Sequence, residues 1–193
     1  MDPLQILVGA GNLYIAPKGE TFPAIDADPA GNWEFLGETD GGVTVTLSQV
    51  VDLHRVDQFT GPVKATRSEE TLKIETNVAV TTAELLAFMN GNSVTDTAAG
   101  AGTAGTRKLG LTSGFDVTEY AFLFRGNSPY QAGANAQFEV VVGVFNQDDI
   151  GLEFKKDDKT LVPIMVTALV DPDAASEDEQ FGRFIAQDAS PTS

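Results

Sequence analysis

Cysteine is absent from this chain of 193 residues, and several kinds of functional site are absent with it. Without thiols the chain can form no disulfide, no thiolate metal centre and no cysteine nucleophile. Histidine occurs once, at His54, which leaves too few imidazoles for a histidine-rich metal site. We therefore predict that the protein holds no metal and no cofactor, and that it is not an enzyme.

Basic residues are also scarce, with 12 Lys and Arg against 28 Asp and Glu and a net charge of −16. Affinity for phosphate comes from Lys and Arg, so this composition argues against specific binding of nucleic acid or of an anionic membrane. No apolar run approaches the ~20 residues that a transmembrane helix needs. The opening "MDPLQILVGAG" does not resemble a signal peptide. The expectation is a soluble protein made in a cytoplasm.

Apolar residues make up 42% of the chain, which is enough for one sizeable core. We predict one domain over residues 1–170, followed by an acidic C-terminal arm over 171–193 that has six acidic residues and one basic residue. The apolar patch "FGRFI" at 181–185 in this arm needs a partner surface.

Alternation of apolar and polar residues predicts an all-β protein. In residues 69–78, for example, Leu72, Ile74, Thr76 and Val78 share one face. Asp40-Gly41-Gly42 is typical of a turn, and Pro163 implies a sheet edge or a bulge. Loops are predicted over 17–33 and 91–106, and strands over 11–16, 34–39, 43–49, 69–78, 119–125, 136–146 and 160–170. Seven or eight strands of this kind form a β-sandwich or a flattened barrel.

One short helix is predicted over residues 82–90. Thr81 and Glu84 have the spacing of a capping box, and Asn90-Gly91 is a stop signal. Nine residues do not hold as an isolated helix, so this helix must dock on the sheet.

Several sequence patterns that suggest chemistry lack the context that the chemistry requires. "GAGTAG" at 100–105 matches a phosphate-binding glycine pattern, but no helical period follows it. "DADPAGNWE" from Asp26 has alanine where a calcium loop needs an oxygen ligand. His54 has acids nearby but no nucleophile elbow, and the adjacent Glu69 and Glu70 point to opposite faces of a strand. A hydrolase with an acid dyad is the weakest alternative.

The most unusual stretch is a long hairpin, residues 44–77. It alternates like sheet at both ends, but from Gln49 the alternation slackens, and the middle contains His54, Pro62 and scattered charges.

The order of these features resembles the major tail tube protein of long, non-contractile-tailed bacteriophages. Four stretches carry the resemblance: "VGAGNLYIAPKG" (8–19), "WEFLGETDGGVTVTLSQ" (33–49), "ETLKIETNVAVTTAELLAFM" (70–89) and "FKKDDKTLVPIMVTALVDP" (154–172). The resemblance implies a sandwich-like barrel of two β-sheets, with one flanking helix, a long inter-strand loop and extended terminal arms.

The resemblance also implies a function. Subunits of that family form rings, usually sixfold, that stack into a hollow tube in the virion tail, through which DNA passes without specific binding. The implied partners are copies of the chain itself, a tape-measure protein, and tail terminator and initiator proteins.

In this reading residues 50–67 form a connector to a neighbouring subunit, with apolar anchors and charges that meet complementary groups. Its predicted interface residues are Asp52, His54, Arg55, Val56, Asp57, Phe59, Lys64 and Arg67. The residues predicted to face the channel are Glu69, Thr71, Lys73 and Glu75. Two alternatives remain: a β-sandwich that decorates a capsid or binds a surface ligand such as a sugar, and a tube protein of a secretion or injection system.

Overall fold

A computed structural model describes residues 11–79, 82–147, 149–153, 156–157 and 159–190. Ten strands, one α-helix and one short 3-10 turn (Glu177–Glu179) are described. They are β1 (Asn12–Pro17), β2 (Glu34–Phe35), β3 (Thr39–His54), β4 (Lys64–Val78), α1 (Ala83–Asn90), β5 (Val94–Thr97), β6 (Thr106–Leu109), β7 (Tyr120–Asn127), β8 (Asn135–Phe145), β9 (Val162–Ala168) and β10 (Arg183–Ala186). The predicted all-β fold with one short helix is confirmed.

The large sheet is antiparallel and has the strand order β2-β1-β7-β8-β9-β4-β3. Strand β8 forks this sheet, because its first part pairs with β10 and its last three residues pair with β9 along the same edge. The two parts of the sheet therefore diverge at β8 and face each other, which makes the fold sandwich-like.

The main core lies between these facing parts. It is built from alternate residues of β1, β4, β7, β8 and β9, together with Leu85 of α1. The predicted alternation in β4 is confirmed, because Leu72, Ile74, Thr76 and Val78 are all buried. The helix docks on this core as expected, and the ring of Phe88 meets that of Tyr120 edge-on with centroids 5.7 Å apart.

A smaller apolar cluster lies on the other face of β1 and β7. Its buried members are Ala16, Trp33, Ala121 and Leu123. The loop between β1 and β2 covers it, with the Trp33 indole N–H donating to the carbonyl of Thr21 at 2.9 Å. The predicted loop over 17–33 is therefore an ordered cover.

The predicted turn at Asp40-Gly41-Gly42 is wrong, because these residues lie inside β3. The pairing with β4 shifts register between Asp40 and Val43, so the two glycines form a bulge with φ values of 83° and 85°. Buried Thr76 donates its hydroxyl to the Gly42 carbonyl at 2.8 Å. The predicted strand over 34–39 is correspondingly shorter, since β2 contains only Glu34 and Phe35.

Two further predictions need correction. Residues 91–106 are not one loop, because β5 pairs with β6 to form a small hairpin beside α1. The helix is capped by Thr82, whose hydroxyl oxygen accepts from the Leu85 N–H at 3.1 Å, and it begins at Ala83. Thr81, the predicted cap, lies outside the described residues. The stop signal is confirmed by Gly91, which ends the helix at a φ of 65°.

Pro163 lies at the start of β9, where β8 does not yet pair with it, so its missing N–H falls at a local sheet edge as predicted. Within the four stretches that carry the resemblance, residues 8–10, 80–81, 154–155 and 158 lie outside the described residues.

Candidate assembly interface

The β3–β4 hairpin keeps its strand pairing far beyond the core. Cα partners run from Val43 opposite Thr76 to His54 opposite Lys64. The strands predicted over 43–49 and 69–78 are therefore longer than expected, and only residues 55–63 of the predicted connector form a loop. We call residues 46–70 the outer half of the hairpin, and residues 55–63 within it the tip.

The outer half is exposed along its whole length, with only Gly61 half-buried. Alternation was lost from the sequence here because both faces of the ribbon lie in solvent, so neither face requires apolar residues. The strands are held by backbone hydrogen bonds, which are independent of side-chain identity.

Despite this exposure, the outer half is rich in apolar side chains. Seven of the fourteen exposed large apolar residues among the described ones lie between residues 47 and 63. They are Leu47, Val50, Val51, Leu53, Val56, Phe59 and Val63. A concentration of exposed apolar side chains in one segment is typical of an interaction site.

One face of the outer half continues the core face of β3. Leu47, Val51 and Leu53 lie on it, because residues two apart along a strand share a face. We call these three residues the apolar hairpin face, and Leu47 is 77% exposed. On the same face Arg67 donates from Nε to Gln49 Oε1 at 2.7 Å and forms an ion pair with Glu70.

The opposite face of β4 brings together the four residues predicted to line a channel. Glu69, Thr71, Lys73 and Glu75 alternate along one strand and share this face, with Glu69 exposed and the other three half-buried. Lys73 offsets part of the charge of the two glutamates.

All eight predicted interface residues are exposed on the outer half. Four of them lie in the tip, where Phe59 is 67% exposed and its N–H donates to the Val56 carbonyl at 3.2 Å. Arg55 donates to the Thr60 carbonyl at 3.3 Å, so it also braces the tip. His54 lies on the neighbouring ribbon, with Nε2 2.7 Å from Thr66 Oγ1.

A groove of about 850 Å³ opens where the hairpin leaves the body, a feature that sequence reasoning missed. Its apolar floor includes Leu47, Leu72, Phe138 and Phe184. The rings of Phe138 and Phe184 are in contact, with centroids 4.6 Å apart. The rim of the groove is charged and contains Arg67, Glu70, Glu177, Asp178 and Arg183.

One wall of this groove is built by the C-terminal segment, which the sequence predicted to be an arm. Strand β10 pairs with β8 from Arg183 opposite Glu139 to Ala186 opposite Ala136. The predicted apolar patch at 181–185 finds its partner surface there, since Phe181 packs against the main core and Phe184 against Phe138. This part of the segment is therefore a strand of the body rather than an extended arm.

A chain of four polar side chains, which we call the polar ladder, fixes β10 and the β1–β2 loop to the body. Arg125, Gln137 and Glu139 are buried in strands β7 and β8, and Arg183 extends from β10. Arg125 donates to Gln137 Oε1 at 2.6 Å and to the Ala24 carbonyl at 3.1 Å.

Glu139 is the acidic member of the polar ladder, and it accepts from Arg183 Nε at 2.6 Å and from Gln137 Nε2 at 2.5 Å. The hydrogen bond to Glu139 raises the pKa of Arg183, whereas burial lowers the pKa of Arg125. The sequence signal was the set of polar residues inside the otherwise apolar strands 119–125 and 136–146.

Within the described ranges, no group of three or more metal-ligating side chains comes together. No helix of the described chain has the length and apolar character needed to cross a membrane. Comparison of the chain with protein-family models and with curated proteins found no match.

Proposed function

We propose that this protein is the structural subunit of a tube, in which copies form rings, sixfold as in the family that the sequence resembles, and the rings stack through the β3–β4 hairpin. The tube serves as the tail tube of a long-tailed bacteriophage, and DNA passes through its channel without specific binding. The protein is then a part of the virion tail, made in the host cytoplasm, with a tape-measure protein and tail terminator and initiator proteins as further partners.

The observation that carries the proposal is the outer half of the hairpin. A two-stranded ribbon alone in water is marginally stable, and this one exposes seven large apolar side chains. Such a ribbon is most economically explained by a partner surface that covers it. A second copy of the chain supplies that surface at every position of a repeating assembly.

The free edge of β3 also supports self-association. Strand β3 contains 16 residues, and among the described residues only β4 pairs with it. Natural proteins block an exposed edge of this length with charges or proline, or else they pair it. The stretch of β3 from Val43 to His54 contains no proline and a single charged residue, Asp52.

The net charge of −16 suits a channel wall that DNA slides past. Like charge on wall and phosphate prevents adhesion, because binding of DNA depends on Lys and Arg contacts. We assign the shared face of Glu69, Thr71, Lys73 and Glu75 to this wall.

A hairpin truncation tests the proposal. Val50 and Glu69 are directly opposed, so residues 51–68 can be replaced by Asn-Gly, which forms a tight two-residue turn. The wild-type chain at high concentration should give rings or tubes in electron micrographs and fast-sedimenting species. The truncated chain should form no stacked tubes and nothing larger than a single ring, because the rings stack through the hairpin. Its unfolding free energy should lie within about 1 kcal/mol of wild type, because only exposed residues are removed.

A matched control shortens the β5–β6 hairpin. Thr97 and Thr106 are opposed, so residues 98–105 can be replaced by the same Asn-Gly turn. This variant should assemble like the wild type. The proposal fails if the truncated β3–β4 variant builds normal tubes, or if the wild type stays single at every concentration, salt and pH.

A further inference from the structure

The groove at the hairpin root has an unusual composition for a solvent-filled surface. Leu47, Phe138 and Phe184 supply exposed or half-exposed apolar surface beside the buried Leu72. Exposed aromatic rings gain stability when a further ring packs against them edge-on or in an offset stack. The groove is therefore shaped and lined for an inserted apolar side chain with polar neighbours.

The tip of the same molecule cannot fill this groove. Gln49 lines the groove, and β3 remains paired with β4 for five further residues before the tip begins. At about 3.3 Å per residue this places the tip roughly 15 Å or more along the ribbon from its own groove. An occupant with the chemistry of the tip must come from another copy.

Charge distinguishes the two surfaces. The wall segment, residues 171–180, contains five acidic residues and no Lys or Arg. The hairpin beyond the groove, residues 50–66, contains two basic residues, Arg55 and Lys64, and two acidic ones, so it is neutral in a chain that is otherwise strongly acidic. Its two basic side chains can pair with acidic groups of the wall segment, which favours contact between hairpin and wall segment over contact between two acidic wall segments.

The tip also carries a suitable anchor. Phe59 is an exposed ring at the end of the ribbon, with Val56 bonded to it through the backbone. Most of the binding energy of an interface comes from a few such residues that enter a desolvated pocket.

We propose that the groove receives the hairpin tip of a second copy, with Phe59 inserted against Leu72 and Phe184. Arg55 and Lys64 then lie beside Glu177 and Asp178 on the rim. This inference rests on the proposed function and adds the acceptor site to it. Donor and acceptor occupy different places on the chain, so the contact is head-to-tail and repeats in one direction to form a filament.

The natural absence of cysteine allows a clean cross-linking test. A full-length variant with both Gln58→Cys and Asp178→Cys, which keeps Phe59 in place, is assembled at high concentration and treated with a short bismaleimide. A ladder of covalently joined chains is expected on a denaturing gel, with the cross-link between positions 58 and 178. Each single variant should give at most dimers, since it offers one thiol per chain.

A control variant combines Gln58→Cys with Leu111→Cys, which places the second thiol on an exposed residue outside the groove. No ladder is expected from it. Tubes or rings without a 58–178 cross-link, or an equal ladder from the control, would overturn the acceptor site and leave the proposed function standing. Single particles without any link would overturn both.

A charge exchange gives an independent readout. Lys64→Glu should raise the concentration needed for half-assembly about tenfold, in line with the coupling measured for close interfacial charge pairs. Adding Asp178→Lys to this variant should restore most of that loss. If the double variant assembles no better than Lys64→Glu alone, the pairing of tip and wall is wrong.

Discussion

The two halves of the β3–β4 hairpin share the same strand pairing, but the inner half packs against the core and the outer half is exposed to solvent. In the inner half, residues 39–45 and 71–78, alternate side chains of β4 are buried and contribute to the main core. In the outer half, the same two strands remain paired, with one register shift between Val50 and Val51, and nearly every residue is exposed. Strand pairing therefore extends well beyond the part of the hairpin that packs on the core.

The difference shows which interaction the outer half lacks. The inner half combines backbone pairing with burial of apolar surface, which contributes about 25 cal/mol per Å². The outer half has the backbone pairing but leaves its apolar side chains in water. If a second copy covers the outer half, the interaction that is missing in the single chain is supplied by assembly.

The largest expected contrast comes from one truncation in each half. Ile74→Ala removes a core side chain that is 1% exposed, and it should lower the free energy of unfolding by about 2–5 kcal/mol. Leu53→Ala removes a side chain of the same size that is 56% exposed, and it should change that free energy by less than about 0.5 kcal/mol. Urea unfolding of dilute protein measures both.

At high concentration, Leu53→Ala should weaken assembly more than Ile74→Ala does, because Leu53→Ala removes surface that assembly buries. Similar losses of stability for the two variants in dilute solution would mean that the outer half is packed in the single chain, which would end the comparison.

The sequence predicted the inner half and not the outer half for one physical reason. Alternation becomes visible when one face of a strand is buried and the other is wet, as in Leu72, Ile74 and Val78. Where both faces lie in solvent, as from Gln49 to His54, neither face requires apolar residues at every second position. The sequence of such a strand then shows no alternation of apolar and polar residues. Strands β5 and β6 were missed for the same reason, since nearly all of their residues are exposed.

The groove at the hairpin root could not be predicted, because it is formed by residues that are distant in sequence. Its walls join the hairpin root to β10 across more than 100 residues, and a pairing such as that of Phe184 with Phe138 leaves no local signal. The eight candidate interface residues were predictable as a group, because charges and apolar residues gathered in one segment without a core period. Whether they contact a second copy stays a prediction.

Two similar charge clusters, one in the body and one in the outer half, sharpen the comparison. In the body, Glu139 accepts from Arg183 and from Gln137, and in the outer half Glu70 pairs with Arg67, which also binds Gln49. Glu139→Gln should lower the free energy of unfolding by about 1–3 kcal/mol, because a buried charge-assisted hydrogen bond is lost. Glu70→Gln should cost less than about 1 kcal/mol, as is usual for exposed ion pairs.

Urea unfolding at neutral pH compares these two variants directly. Equal costs would show that burial does not separate the clusters, contrary to the position of Glu139 at 2% exposure.

The smallest expected effect is a pH dependence that belongs to the packed body alone. Burial raises the pKa of Tyr120 above its ordinary value of 10, partly opposed by a hydrogen bond with Thr118. The folded chain therefore favours the neutral phenol of Tyr120. Burial of this neutral phenol contributes fully to stability below pH 10, and the contribution is lost as the pH rises through the pKa of Tyr120 in the folded chain. The outer half contains no tyrosine and contributes no such phenol titration.

Tyr120→Phe keeps the ring contacts and removes this titration. Between pH 9 and pH 11.5 the variant should lose less stability than the wild type, with a difference in slope of at most about 1.4 kcal/mol per pH unit. The truncated hairpin variant should retain the full wild-type slope, because its phenol is still buried in the body. If the free energies of unfolding of Tyr120→Phe and of the wild type decrease in parallel, Tyr120 is open to solvent at high pH. The body is then less tightly packed around Tyr120 than its 8% exposure implies.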